Sequence, residues 1–381
     1  MKVAIFTDTY LPEVNGVAKT LGQLAGYLNS KGIAYRIFAP EYGETQAENN
    51  TIRFFSLPFL IYPQSRVAFP DGMRIAKELE NFDPDIIHVI TQFGIGLAGL
   101  KYAKENNIPA VSTYTTNFSQ YLYYFRLKAL ENISWKYLKW FHNQSVRSFC
   151  PSYKTISLLQ EKGINNPDLW SRGINTNAFS PRYRDVEFRE KLGINDKTVI
   201  LYAGRISPEK DLDILLHTAE KLNEKYISQI HFLLAGDGPY LEEIRKRSIP
   251  NLTALGFIKG QELSRAYASS DIFMFPSTSE TFGNVILEAM ASGLPVIASP
   301  EGGIADNLID GYNGISCKKR NIEDYYEAAS RLIEDRKLAK RLAANGIEHT
   351  ADRKWEKIFD KLINDYYEIV SENSINIDEI A

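Results

Sequence analysis

The sequence predicts an α/β chain of two successive domains, each a parallel sheet flanked by helices. Three observations carry this. Short apolar runs bounded by polar turns alternate with helical segments about a dozen residues long, a pattern that implies right-handed βαβ crossovers. The alternation runs twice, once on either side of an irregular stretch rich in Asn, Ser and Gly. The 381 residues, 44% of them hydrophobic, suffice for two separate cores.

In the first half, strands are expected at Val3–Phe6, Ala34–Ala39, Ile86–Ile90, Ala110–Tyr114 and near Phe149–Pro151. Helices are expected at Val17–Lys31, Gly72–Asn81, Gly94–Asn106 and Ile133–Arg147. The run from Trp170 to Pro181 breaks the pattern and reads as a linker. A second series starts with the strands Val199–Ala203, Phe232–Ala235 and Leu255–Phe257. Val285–Ser292 then reads as a helix closed by Gly293, and Pro295–Ala298 begins a buried strand. The series ends near Asn345, and a long amphipathic segment follows from Trp355 to Val370. The polar tail from Ser371 to Ala381 is expected to fray. The expected domains are thus 1–175, joined by a C-terminal helix within 355–381, and 176–354. No internal repeat interrupts the series.

Composition narrows the class of function. A net charge of −3 and an isoelectric point near 6.1 argue against a general nucleic-acid binder. Cys150 and Cys317 are far apart and read as reduced thiols, neither a disulfide framework nor a metal site. No apolar stretch reaches the roughly 18 residues of a spanning helix, and the first strand is too short for a signal sequence. The expected location is cytoplasmic, at most peripheral on the inner face of a membrane.

The densest chemistry lies between Ser279 and Val296. Glu280 falls in the loop Ser279-Glu280-Thr281-Phe282-Gly283-Asn284, and Glu288 falls in the helix that follows. Amides of Phe282, Gly283 and Asn284 at the start of that helix favour an anionic group. Two acids beside an anion-binding helix end suit a phosphorylated sugar, held by its hydroxyls and its phosphates together. Upstream, Gly204-Arg205 and Glu209-Lys210 follow a strand and precede a helix, where α/β sheets bind ligands. Further turns follow at Gly236-Asp237-Gly238-Pro239 and Gly256-Phe257.

In this order, Gly204-Arg205, Glu209-Lys210, Gly236-Asp237-Gly238-Pro239, Gly256-Phe257 and the Glu280/Glu288 pair resemble the retaining nucleotide-sugar glycosyltransferases of family 4. The N-terminal run Phe6-Thr7-Asp8-Thr9-Tyr10-Leu11-Pro12-Glu13-Val14-Asn15-Gly16-Val17 matches too, and looks most like bacterial enzymes that glycosylate diacylglycerol or related lipids; related mannosyltransferases are similar. The resemblance spans nearly the whole chain. It implies the GT-B architecture of two facing Rossmann-like domains, with the C-terminal helix crossing back to the first. It implies transfer of a hexose from a nucleotide sugar, of UDP-glucose type or alternatively GDP-mannose, to a hydroxyl acceptor that is lipid-borne, with no cofactor. Arg205, Lys210 and Glu280 would be catalytic. Gly16, Gly236, Phe257, Phe282, Gly283, Asn284 and Glu288 would hold the donor, Glu288 on the ribose. Retention is expected by front-side attack, because no residue is placed as the nucleophile that retaining glycosidases use.

One departure stands out. Relatives carry a histidine where this chain has Thr115 in Thr113-Tyr114-Thr115-Thr116-Asn117, which leaves Thr115, Asn117 and the strand-end His88 as candidates for contact with sugar or acceptor. Asp83-Pro84-Asp85 and Asp211-Leu212-Asp213 have the look of metal-binding pairs, yet a turn before a strand and a helix N-cap at Asp211 explain them locally, so no metal is expected. Residues 101–162 hold nine Lys/Arg against three acids, interleaved with aromatics from Tyr121 to Trp140, as an anionic membrane surface would require. Ile133, Tyr137 and Phe141 also have the spacing of a core-facing helix. The rival readings are a transferase for a soluble or cell-wall polysaccharide acceptor, a nucleotide-sugar epimerase or phosphorylase-like enzyme, and a non-catalytic binding protein.

Overall fold

The computed structural model describes residues 1–13, 15–43, 49–59, 62–115 and 130–378. They divide into two compact units. One runs from Met1 to Ser171 and takes up the chain again from Glu356; the other is Arg172–Trp355.

The first unit contains β1 (Lys2–Phe6), β2 (Ala34–Pro40), β3 (Thr51–Phe54), β4 (Ser56–Phe59), β5 (Tyr62–Ala68), β6 (Ile86–Val89), β7 (Ala110–Thr113), β8 (Arg147–Cys150) and β9 (Pro167–Leu169). Seven of them form one parallel sheet in the order β3-β2-β1-β6-β7-β8-β9. Strands covered by helices on both faces must be apolar throughout, and Val3, Ala4, Ile5 and Phe6 have no exposed surface. The flanking helices include Gly16–Ser30, Gly72–Phe82, Gly94–Glu105, Glu131–His142 and Tyr153–Glu161. β4 and β5 pair antiparallel outside that sheet, an element the period of the sequence did not disclose. Predicted helix Ile133–Arg147 stops at His142, and Arg147 opens β8 instead. The Val146 amide donates to the Ala110 carbonyl (2.8 Å), so sheet pairing captures the backbone that helical spacing would have claimed.

The second unit contains β10 (Thr198–Ala203), β11 (Ile230–Ala235), β12 (Leu252–Gly256), β13 (Ile272–Phe275), β14 (Val296–Ala298) and β15 (Gly314–Ser316). They form a parallel sheet in the order β12-β11-β10-β13-β14-β15. Its core runs from Val199 through Phe232, Phe273 and Ile297 to the helix faces at Leu215, Leu287 and Leu332.

The last helix, Trp355–Asp378, packs on the first unit. Phe359, Leu362, Ile363, Tyr366 and Ile369 are buried there, at the spacing of one helical stripe. The expected return to the first domain is therefore present. Beyond Ser371, where fraying was expected, the helix continues to Asp378, and residues 379–381 lie outside the described ones. Once a packed segment has nucleated a helix, each added residue contributes another backbone hydrogen bond even when its side chain is polar.

Candidate functional site

In each large sheet the chain order reverses at one place: between β1 and β6, and between β10 and β13. The loops leaving the carboxyl ends of the two strands at such a reversal diverge and leave a crevice for ligands. In the second unit, β10 leads into Gly204-Arg205 and on to Lys210, while β13 leads into Ser277–Glu280. Arg205, Lys210 and Glu280 thus come from the loops that follow the two strands flanking the reversal.

The loops are locked by backbone contacts. Gly204 N donates to Ala235 O (3.0 Å), Ile206 N to Asp237 O (2.9 Å) and Gly236 N to Gly256 O (2.8 Å). A Cβ on Gly236 would stand 1.8 Å from the Gly204 carbonyl oxygen, and its φ of +155° is unfavourable for other residues. Gly236 is required by the approach of two loops of the fold itself, which is a different reason from the ligand approach expected for it.

Lys210 closes a 3-10 turn, Pro208–Lys210, and its Nζ donates to Glu280 Oε1 at 2.6 Å. The pair is largely enclosed, with side chains 14% and 21% exposed. Arg205 is half-buried beside the end of β10. The Glu280 loop rests on Gly302-Gly303, where added Cβ atoms would lie 2.1 Å from the carbonyl oxygens of Glu280 and Thr281 respectively, and Gly303 N donates to Glu280 O (2.9 Å). The absence of side chains at Gly302 and Gly303 lets this segment pass directly under the acidic loop.

Helix Asn284–Ala291 starts after Gly283, which has a left-handed φ of +80°. Phe282 is buried, and its carbonyl accepts from Asn307 Nδ2 (3.0 Å). Asn284 Oδ1 is buried and receives no hydrogen bond among the described residues. Glu288, in the same helix, accepts from the Tyr267 hydroxyl at 2.9 Å, which orients its carboxylate. Burial holds that phenol well above its ordinary pKa, with the Glu288 charge adding to the effect, so it stays a donor. Phe257, directly after β12, exposes 55% of its surface.

The first unit has its own polar cluster after β1. Gly16 is the exposed first residue of its helix, capped by Asn15 Oδ1 accepting from Ala18 N (2.8 Å). Asn15 Nδ2 in turn donates to Thr9 Oγ1 (2.7 Å) and Glu13 Oε1 (2.8 Å), and Tyr42 donates to Glu13 Oε2 (2.7 Å). Tyr42 gave no sequence signal because its partnership with Glu13 spans two loops. Thr115 is half-buried after Tyr114, and Asn117 lies outside the described residues.

Two expectations are corrected. His88 is fully buried and does not meet substrate: Nδ1 pairs with the Tyr366 hydroxyl and Nε2 with Thr113 Oγ1, both at 2.5 Å. A strand-end histidine became a core residue because the last helix covers it. Asp211 stands at an N-cap position but makes no capping hydrogen bond, and its carboxylate turns to Thr278 and Arg320 instead. Of the other acids in the paired-aspartate runs, Asp83 ends a helix in the left-handed region, Asp85 accepts from Lys2 N (2.6 Å), and Asp213 pairs with Arg247 (2.7 Å).

Comparison with known proteins follows this division of the chain. Residues 14–178 match the family described as Glycosyltransferase Family 4, and residues 185–349 match glycosyl transferases group 1. A GDP-mannose-dependent alpha-mannosyltransferase of Corynebacterium glutamicum is 30% identical over 97% of this chain and 90% of its own. An alpha-monoglucosyldiacylglycerol synthase of Streptococcus pneumoniae is 32% identical over 78% of this chain and 71% of its own. Among solved structures, a sucrose-phosphate synthase from Thermosynechococcus elongatus superposes with a TM-score of 0.81 at 19% identity, covering 97% of this chain and 99% of that one. Anabaena HepE in complex with UDP-glucose gives 0.76 at 19% identity, covering 97% and 100%. Two Rossmann-like units, a returning C-terminal helix and these matches place the chain in glycosyltransferase family 4, with the GT-B architecture.

Proposed function

We propose that the chain transfers a hexose from a nucleoside-diphosphate sugar to a hydroxyl of a lipid-borne acceptor, with retention at the anomeric carbon and without a metal ion. The observation that carries this reading is the Lys210–Glu280 pair at the strand reversal, with Arg205 in the same loop after β10 as Lys210. As the anomeric carbon–phosphate oxygen bond breaks, negative charge grows on the diphosphate. Arg205 and Lys210 stabilise that charge, together with the amides around Gly283 and Asn284. Glu280 receives hydroxyls of the moving sugar and Glu288 those of the ribose. Asn284 Oδ1 is a ready acceptor for another ligand hydroxyl. The base lies along Gly256 and Phe257. The acceptor oxygen bonds to the anomeric carbon on the face the phosphate leaves, and its proton passes to the departing phosphate oxygen. Positioning and fixed charge supply the barrier lowering. UDP-glucose is the first donor to test and GDP-mannose the second, because relatives carry each type of sugar in their names.

Support for a lipid acceptor comes from the first unit. On helix Glu131–His142 the exposed side carries Ile133 (63%) and Trp140 (52%) beside Lys136 and Lys139. Ile133 does not pack the core, contrary to its spacing with Phe141, which does. The β4–β5 hairpin adds Phe55, Leu57, Val67 and Phe69, all exposed. Strand alternation puts these four on one face of the ribbon, opposite the buried Ser56 and Ala68. Apolar and cationic side chains exposed together suit an anionic lipid surface. Arg147 drops out of the basic set, because Asp168 (3.2 Å) and Glu368 (3.5 Å) engage it, and Arg126 and Lys128 lie outside the described residues. Among the described residues no helix is long and apolar enough to cross a membrane. The test is transfer of radiolabelled hexose into a diacylglycerol-containing vesicle: labelled glycolipid from one of the two donors supports the reading, and donor turnover with no labelled lipid removes the acceptor half of it.

A further inference from the structure

We propose that Asp211 is a positioning residue for the transfer reaction: its carboxylate straps the Lys210 turn to the Glu280 loop and fixes where the Lys210 ammonium stands. The proposal rests on the roles given above to Lys210 and Glu280. Asp211 follows Lys210 directly, and Thr278 stands two residues before Glu280. Asp211 Oδ2 accepts from Thr278 Oγ1 (2.7 Å) and from Thr278 N (3.3 Å). Its Oδ1 accepts from Arg320 Nε at 2.9 Å, and the Asp211 side chain is only 8% exposed. One enclosed carboxylate therefore ties together three segments that are 67 and 109 residues away along the chain.

Local chemistry would have given Asp211 a different task. At the start of helix Leu212–Tyr226 an aspartate ordinarily caps backbone amides of the first turn, yet Asp211 makes no such bond. Its backbone sits in the left-handed region (φ +51°, ψ 35°), where a residue with a Cβ is strained. A strained backbone and a missing cap both follow if the side chain is committed across the site. The Arg320 guanidinium compensates the charge that enclosure would otherwise penalise. A second link runs parallel to it, from Ser279 Oγ to the Glu209 carbonyl (3.0 Å).

The consequence is electrostatic. Lysine has a long, flexible stem, and its charge acts on a developing diphosphate only from a fixed distance. Displacement by about 1 Å in such a site can lower the rate on the order of a hundredfold. Without the strap, the Lys210 turn and the Glu280 loop are joined only by the Ser279–Glu209 link and the Lys210–Glu280 pair among the bonds described, and the ammonium is held less closely.

The experiment compares Asp211→Gly, Thr278→Val, Arg320→Lys, Lys210→Ala and the Lys210→Ala/Asp211→Gly double variant, measuring kcat, donor KM and Tm. Glycine accepts the left-handed backbone, so Asp211→Gly retains the fold. Expected are a kcat lowered roughly tenfold or more in Asp211→Gly, a donor KM changed less, and near-normal rates in Arg320→Lys. Thr278→Val, which removes one hydroxyl donor, should show a smaller fall in kcat at unchanged Tm. The double variant should be no slower than Lys210→Ala alone, because the strap acts through Lys210. A slow Lys210→Ala alongside wild-type kcat in both Asp211→Gly and Thr278→Val overturns the strap and leaves the site reading intact. Multiplicative losses in the double variant overturn the route through Lys210. A wild-type rate in Lys210→Ala overturns the site reading itself.

Discussion

A carboxylate 2.6 Å from the Lys210 ammonium restrains a flexible cation. Lys210→Ala and Arg205→Ala are therefore expected to lower kcat by roughly a hundredfold or more while Tm stays near wild type, by analogy with loss of a charge-stabilising donor. Glu280 and Glu288 should separate by assay. Glu288→Ala should weaken binding of the free nucleoside diphosphate in calorimetry, whereas Glu280→Gln should leave that binding largely intact and slow transfer. Unchanged nucleotide binding in Glu288→Ala contradicts the ribose role. At this scale the acids and cations were legible in the sequence, because Gly-Arg, Glu-Lys and the Glu280/Glu288 spacing are local patterns. Asp211 was misread since capping is a local rule and its carboxylate answers to Thr278 and Arg320, far along the chain. His88 was misread for the same reason: its partner Tyr366 arrives from the other end of the molecule.

Helix Glu131–His142 joins stability and surface. On its inner side His142 is buried, pairs with Ser112 Oγ through Nδ1 (2.9 Å), and has its pKa pushed down to about 4 by burial. In the unfolded chain the same group titrates near 6.5. The unfolded state then binds a proton that the folded state refuses, so this stabilisation is complete above pH 6.5 and is lost as pH falls toward 4. Tm should decline between pH 6.5 and 4.5, and the decline should be shallower in His142→Gln. On its outer side, Lys136→Glu with Lys139→Glu should reduce co-sedimentation with anionic vesicles, and wild-type binding should weaken with salt. Equal binding to neutral vesicles contradicts the membrane face. The C-terminal helix offers a packing test: Tyr366→Ala should destabilise by about 3–5 kcal/mol, as large aromatic truncations in cores do, and Tyr366→Phe by about 1 kcal/mol for its hydrogen bond. The principal strands and helices of both sheets were predictable from apolar periodicity. The β4–β5 hairpin was not, because Pro58, Pro63 and polar residues interrupt its alternation, and the end of the last helix was not, because its closing residues carry no apolar stripe.

For the molecule as a whole, each large sheet has one reversal of strand order, and the loops carrying Arg205 and Lys210 leave the strand ends at the reversal in the second unit. The alternation of strands and helices made the two-unit plan readable, since each βαβ unit repeats the same period; the locking of the loops after β10, β11 and β12 was not, because it is made of backbone bonds that no side-chain pattern announces. The most direct test of the central claim is hexose transfer to a diacylglycerol-containing vesicle, measured with the wild type and Lys210→Ala, each with and without EDTA. Expected are labelled glycolipid and nucleoside diphosphate in equal amounts from the wild type, a rate indifferent to EDTA, and a loss of roughly a hundredfold in Lys210→Ala. Abolition of the wild-type rate by EDTA with recovery on adding Mg²⁺ or Mn²⁺, or an undiminished rate in Lys210→Ala, would contradict that claim.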